Sequence, residues 1–281
     1  MDIFERDLDL NQANYQPLSP IGFLERSAMI YPDKVAIIHG ERKITYREYL
    51  ANAKRLASAL SAKGIKKGST VSIMATNIPA FLDANFGVPM TGATLNALNT
   101  RLDAEGIAFI LDHAETDILI MDTCFSPIVK KALTLAKNKP LVIDVDDPMN
   151  TSGGERIGEI EYEDFIASGD PQYNEVHIHD EWQAIALNYT SGTTGDPKGV
   201  VYSHRGAYLT SMGNVAMWPM DEDSAYLWTL PMFHCNGWCF PWSVTARAAT
   251  HVCLRQFDVE TVANLMAEHN VTHFCGAAII L

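Results

Sequence analysis

The seventeen residues Asn188 to His204 read NYTSGTTGDPKGVVYSH. They set three glycines and four small hydroxyl residues, Thr190, Ser191, Thr193 and Thr194, around a turn that holds one lysine, Lys198. Glycine lets the backbone take positive φ and approach a ligand closely. Each hydroxyl can donate and accept a hydrogen bond. Consecutive backbone N–H groups in such a turn form a concave nest for an anion. Lys198, kept near the turn by Pro197, adds a positive charge on a flexible stem. The sum is a grip for a polyphosphate. A plain Gly/Ser/Thr surface loop is the alternative, but the ten positions from Thr190 to Gly199 serve one ligand logic together.

The run is not the G-x-x-x-x-G-K-[ST] phosphate loop. Gly199 follows the lysine, Val200 stands where a hydroxyl is needed, and a strand comes next instead of a helix. It also lacks the G-x-S-x-G elbow of a serine nucleophile. A second group, LPMFHCNGW, gathers His234, Cys235, Asn236, Gly237 and Trp238. Cys235 and Cys239 offer only half of a zinc set, and cysteine is commonly a small buried hydrophobe. His269 and His273 are four apart, yet Asn270 ends the helix between them. His177 and His179 alternate as on an exposed strand. The run DVDD, Asp144 to Asp147, reads as an acidic turn after a strand, with a Mg²⁺ site as the less favoured reading. Trp218, Trp228 and Trp242 read as core; the spacing of Trp238 from His234 puts it near a pocket.

These residues need a scaffold, and the pattern around them supplies one. VAIIHGERKIT alternates on both sides of Gly40 and predicts a β-hairpin. Thr45 with Glu48 forms a capping box ahead of a helix that Gly64 ends. Strand and helix then alternate: TVSIMA, AFLDANFGVPMTGA, DILIM, SPIVKKALTLAKNK, PLVIDV. Such alternation implies an α/β fold of stacked, mostly parallel sheets with helices on their faces. The stretch DDPMNTSGGERIGEIEYED reads as a surface loop, and a lobe boundary is placed there, giving lobes 1–150 and 151–281. Past it, AIALNYT and GVVYSH are strands flanking the glycine loop. RGAYLTSMGNVAM is helical, SAYLWTL a strand, WCFPWSVTARA a short helix, THVCL a strand, DVETVANLMAEH an Asp258-capped helix, and VTHFCG a strand.

Composition bounds the partners. With 21 basic and 34 acidic residues the formal charge is −13. An acidic surface argues against a nucleic-acid binder. A small anionic ligand is still admitted, because local dipoles and one cation hold it. Five cysteines in a large core-forming chain read as reduced thiols. The polar, acidic start carries no leader pattern, and no run approaches the ~18 apolar residues of a membrane span. The expected compartment is the cytoplasm. A homodimer is the default assembly for a soluble oligomer.

On these residues the chain resembles the adenylate-forming superfamily, within it the acyl-CoA synthetases. YTSGTTGDPKGV resembles the family's phosphate loop almost letter for letter, and LPMFHCNGW its second core motif. NIPAFLDANFGVPMTGATLNALNTRL and VTHFCGAA resemble the segments before and after them, so the likeness runs from Phe23 to the last residue. The resemblance implies a ligase of fatty acid metabolism that joins a carboxylic acid to coenzyme A, using ATP and Mg²⁺; Trp238 with a small Gly276–Ala277 wall suggests a short- to medium-chain acyl group or a compact thioether or aromatic acid. It implies that Thr190, Ser191, Gly192, Thr193, Thr194 and Gly195 hold the β- and γ-phosphates, with Lys198 assisting and Thr190 contacting Mg²⁺. His234 would stand beside the carboxylate and α-phosphate. Cys235, Asn236, Gly237 and Trp238 would line the acyl and adenylate site, and Gly276 and Ala277 its wall.

Two departures stand out. Ala278 occupies the place where the family commonly has proline. The family's Tyr-Gly-x-Thr-Glu segment, its ribose-binding aspartate, hinge, and small C-terminal domain with a catalytic lysine are not in the sequence. The resemblance therefore implies an N-terminal core with little or no turnover of its own. Two other readings stay open: a non-catalytic adenylate-binding module, and an adenylation domain that loads a carrier-protein thiol.

Overall fold

The computed structural model describes residues 2–11, 13–175, 178–190 and 197–276. The predicted hairpin forms as β1 (Val35–His39) and β2 (Arg42–Thr45), antiparallel around Gly40. Thr45 caps the helix Tyr46–Ala62 with the full reciprocal box to Glu48. Alternation then gives β3 (Thr70–Met74), β4 (Thr94–Ala97), β5 (Thr116–Asp122), β6 (Leu141–Val145) and β7 (Ile160–Glu161). The strands flanking the glycine run are β8 (Ala184–Thr190) and β9 (Lys198–Ser203); β10 (Ala225–Leu227), β11 (Thr250–Val252) and β12 (His273–Phe274) follow.

Two sheets result. One has seven strands in the order β7-β6-β5-β3-β4-β8-β9, the other five in the order β12-β10-β11-β1-β2. Within both, the pairs are parallel except β8 with β9 and β1 with β2. The parallel strands β3 and β5 are buried along nearly their whole length, as expected where helices cover both faces. Both sheets draw strands from either side of residue 150.

The helix Pro79–Met90 lies at the centre, with all twelve residues buried. A helix whose surface is mainly apolar on every side suits such a place. It packs on the helix Tyr46–Ala62 through Gly87, where a Cβ would lie 2.7 Å from the Ala53 carbonyl oxygen and 2.9 Å from Leu56. Glycine here permits a close helix–helix approach. Each large side chain buried in this core, such as Phe81, Phe86 and Leu56, contributes about 1.5–3 kcal/mol.

A buried ion network joins the sheets at one end. Arg255, just past β11, bonds Asp122 at the end of β5 through its Nη2 at 2.9 Å and also bonds Asp147. Asp147 in turn pairs with His39 of β1 at 2.8 Å. The acidic run is thus taken up by structure: Asp144 accepts from the Gly158 N–H at 2.7 Å, and Asp146 pairs with Arg156 at 3.1 Å. Burial works to raise the Asp147 pKa; the His39 hydrogen bond, the Met149 N–H and the Arg255 charge outweigh it and hold it at about 2.

Candidate functional site

The two strands β8 and β9 run antiparallel with Tyr189 opposite Gly199 and Thr190 opposite Lys198. Cross-strand neighbours have Cβ atoms about 5 Å apart. The hydroxyl of Thr190 and the ammonium stem of Lys198 therefore stand together at the mouth of the turn, both exposed. Ser191, Gly192, Thr193, Thr194 and Gly195 lie outside the described residues, as do Ala277, Ala278 and His177. The base of the hairpin is pinned by the Tyr189 hydroxyl, 2.7 Å from His113 Nδ1.

Thr190 ends the parallel strand β8. The other segments singled out also leave the ends of parallel strands. The second motif follows β10, and Gly276 follows β12. Ligands in open α/β sheets gather outside such carboxyl ends. Asn77, shortly after β3, organises this edge. Its amide donates to the carbonyls of Trp228 at 2.7 Å and Leu230 at 3.1 Å, and its Oδ1 accepts from the Met232 N–H at 2.8 Å. Thr229 donates to the Cys275 carbonyl, tying the ends of β10 and β12 together.

The second motif takes an unusual shape. The short helix expected from Trp238 begins only at Phe240 and runs to Ala246. Before it, Cys235, Asn236, Gly237, Trp238 and Cys239 all have φ between 48° and 64°. Five successive residues thus wind left-handed. For an L-residue this costs about 1–2 kcal/mol, and four of the five are not glycine. Such strain persists only where the surroundings over-determine it, and it collects at functional sites.

Three kinds of contact hold the turn. Gly237 is pressed to Trp228, where a Cβ would meet the indole ring at 2.7 and 2.9 Å. Asn236 is fully buried; its Oδ1 accepts from Asn188 Nδ2 at 2.7 Å and its Nδ2 donates to Asn85 Oδ1 at 3.2 Å. Asn214, on the helix after β9, donates to the Trp238 carbonyl at 3.0 Å and to Ser243 at 3.1 Å. The Tyr202 hydroxyl of β9 meets the Cys235 thiol, and burial followed by that contact pushes the Tyr202 pKa up. Burial, with Cys235 beside it, raises the Cys239 thiol to about 12, so it stays protonated.

The result presents two side chains outward. His234 is exposed at the start of the turn, and Trp238 is 58% exposed. Trp228 and Trp242 are fully buried, as core residues should be, whereas Trp218, read as core too, is half-buried. The structure brings Cys235, Asn236, Gly237 and Trp238 together with the strands that carry Thr190 and Lys198. Gly276 is exposed at the edge, beyond β12. Thr190 and Lys198 at the hairpin mouth offer a hydroxyl and a cation, and the turn offers an exposed imidazole at His234, group types that suit phosphate and carboxylate oxygens. Sequence reasoning missed Asn77, Asn85, Asn188 and Asn214. Asn85 did carry a signal, being with Asp83 one of two polar side chains inside a mainly apolar helix.

Comparison with known proteins agrees with this geometry. The family model described as AMP-binding enzyme matches residues 24–281. The peroxisomal acetate/butyrate–CoA ligase of Arabidopsis thaliana is 46% identical over 286 residues, covering 98% of this chain and 50% of that protein. The acetate–CoA ligase of Humulus lupulus is 43% identical, with the same coverage. The peroxisomal benzoate–CoA ligase of Arabidopsis thaliana is 43% identical over 96% of this chain and 48% of its own length. The chain thus spans about half the length of these curated relatives. Among solved structures, a putative long-chain-fatty-acid CoA ligase from Rhodopseudomonas palustris superposes with a TM-score of 0.83 at 23% identity, covering 94% of this chain and 63% of that one. The o-succinylbenzoate CoA synthetase of Bacillus subtilis, solved with ATP and magnesium, has a TM-score of 0.72 at 23% identity over 90% of this chain and 62% of that one. At this identity both likenesses speak for the fold. Among the described residues no helix is long and apolar enough to cross a membrane.

Proposed function

The chain belongs to the AMP-binding enzyme family, and on that basis we propose that it supplies the N-terminal core of an ATP-dependent acid–CoA ligase. A carboxylate oxygen attacks the α-phosphorus of ATP, the bond to the β-phosphate oxygen breaks, and pyrophosphate leaves an acyl-adenylate. The sulfur of coenzyme A then attacks the acyl carbon, the bond to the adenylate oxygen breaks, and AMP departs with the thioester formed. Little covalent chemistry falls to the protein, whose work is positioning and charge neutralisation.

The roles follow from placement. Lys198 and Thr190, opposed across the hairpin mouth, anchor the phosphate tail. Thr190 is the proposed Mg²⁺ contact; the ion would neutralise phosphate charge there. His234 orients the carboxylate toward the α-phosphate. Trp238 and the edge at Gly276 and Ala277 bound the acyl group. We propose a short- to medium-chain or compact aromatic acid. Support comes from the exposed indole of Trp238, and from relatives described as acting on acetate, butyrate and benzoate. This chain alone would carry the nucleotide grip and little turnover.

The observation that carries the reading is the strained, amide-braced turn of Cys235–Cys239 fastened to the hairpin that bears Thr190 and Lys198. The test is acid-dependent exchange of labelled pyrophosphate into ATP by the whole protein, across acids from acetate to palmitate and benzoate, followed by a thioester assay with free coenzyme A. Exchange with acetate, butyrate or benzoate and formation of the free thioester are expected. Best activity on palmitate removes the substrate class. Exchange without a free thioester turns the reading to a carrier-loading domain, and no exchange with any acid removes the ligase.

A further inference from the structure

The hydrogen bonds around Asn236 form one continuous line of amides. Asn188 Nδ2 donates to Asn236 Oδ1 at 2.7 Å, Asn236 Nδ2 to Asn85 Oδ1 at 3.2 Å, and Asn85 Nδ2 to the Phe81 carbonyl at 2.8 Å. Asn85 is also fixed through its own carbonyl, which accepts from Trp242 Nε1 at 3.0 Å. The far end of the line is therefore anchored in the fully buried helix Pro79–Met90. The near end is Asn188, on β8, two residues before Thr190.

Stability alone is a poor reason for Asn188. It is 7% exposed, and its Oδ1 is buried without a hydrogen-bond partner among the described residues. A buried acceptor left unpaired is a penalty that an apolar residue on β8 would avoid. What the amide does is reach the one side chain that sits inside the left-handed turn. The strand leading into the loop at 191–196 and the turn presenting His234 and Trp238 thereby share a hydrogen bond, although they lie 48 residues apart. From the other side of the loop, Asn214 holds the Trp238 carbonyl at 3.0 Å.

We propose that Asn188 is a positioning residue: through Asn236 it ties the turn carrying His234 and Trp238 to the phosphate loop, so that filling the loop is registered at the turn. This rests on the reading of the loop as a nucleotide site. A strained turn suits the task. Its strain persists only while its surroundings hold it, and the buried amide bond from Asn188 is one of those restraints.

The experiment has a ligand-free and a ligand-bound arm, on the wild-type chain, Asn188→Ala and Asn188→Leu. The chain is labelled with 5-fluorotryptophan, and the ¹⁹F resonance of Trp238, one of five, is assigned with Trp238→Phe. Without ligand, both Asn188 variants are expected to shift or broaden the Trp238 line while the lines of buried Trp228 and Trp242 stay in place. With Mg²⁺–ATP, hydrogen exchange read by mass spectrometry is expected to slow in wild type at the loop and at 235–239 alike. In Asn188→Ala the loop keeps its protection and the turn exchanges about tenfold faster, the scale of one buried hydrogen bond. An unmoved Trp238 line overturns the proposal, as does equal turn protection in wild type and variant. Protection of neither segment in wild type overturns the nucleotide reading instead, and the ligand-free arm then decides on Asn188 by itself. Should both variants unfold, the wild-type exchange pattern decides: a protected loop with an unaffected turn overturns the coupling.

Discussion

Replacing Gly237 with alanine adds one methyl group at the most crowded point of the left-handed turn. The backbone there has φ of +56°, and the new Cβ would lie 2.7 Å from Trp228 Cζ3 and 2.9 Å from Cη2. The indole cannot retreat cheaply. It is fully buried, its Nε1 donates to His251 Nδ1 at 3.1 Å, and it stacks on His251 and meets Tyr226 edge-on with centroids 5.0 Å apart. An L-residue at this φ costs about 1–2 kcal/mol, and overpacking a full core about 1–3 kcal/mol. G237A should therefore lose about 2–5 kcal/mol in urea unfolding followed by circular dichroism. Gly213 provides the contrast: it lies inside the helix His204–Met217, and a Cβ there meets nothing within 4 Å. G213A should gain about 0.5–1 kcal/mol. If G237A unfolds within about 0.5 kcal/mol of wild type, a margin ordinary for surface changes, the turn is not built as described.

Two further outcomes follow from buried charge. Arg255→Ala takes the cation from Asp122, fully buried, and leaves Asp147 with only His39 and the Met149 N–H as partners; it should destabilise by about 3–5 kcal/mol, and Arg255→Lys should recover only part because an ammonium lacks the guanidinium fork. A chemical-denaturation series with both variants checks this, and an unchanged midpoint for Arg255→Ala contradicts it. Asp83 is buried against Tyr162, 3.1 Å away, and burial foremost raises its pKa to about 8. The folded state thus holds a proton that the unfolded chain releases above about pH 4, so stability contributed by this group is full below that pH and is lost as pH rises toward 8. Asp83→Asn should match wild type near pH 4 and exceed it progressively toward pH 8, by up to about 1.4 kcal/mol per pH unit; parallel stability–pH curves would sink the assignment.

Local signals made much of the fold legible. Gly40 marked the hairpin, Thr45 and Glu48 the capping box, Gly64 a left-handed helix end with φ of +86°, and Asp258 the cap of the helix Val259–Glu268. Each is settled within a few residues. The strand β4 and the helix Ala104–His113 were not anticipated: TLNA is too short to show a period, and the Asp103 cap ahead of AEGIAFILDH was overlooked. Trp238 and Cys239, the last two residues of the turn, were read as the start of a right-handed helix. Nothing in Cys-Asn-Gly-Trp-Cys by itself dictates five positive φ angles; they are imposed by Asn188 and Asn85, 48 and 151 residues away. Sheet order is equally non-local. The candidate site was therefore visible as residue types and spacing, while the amides that shape it became visible only in three dimensions.

The most direct measurement of the central claim is Mg²⁺–ATP binding by isothermal titration calorimetry, comparing wild type with Lys198→Ala. Lys198 is exposed, so the variant should melt as wild type does, within about 0.5 kcal/mol. Saturable one-site binding is expected, weakened about ten- to hundredfold by loss of one charge-assisted hydrogen bond to phosphate. Equal affinity in the two proteins, or heat of dilution alone from wild type, would contradict the assignment of this hairpin mouth to a triphosphate.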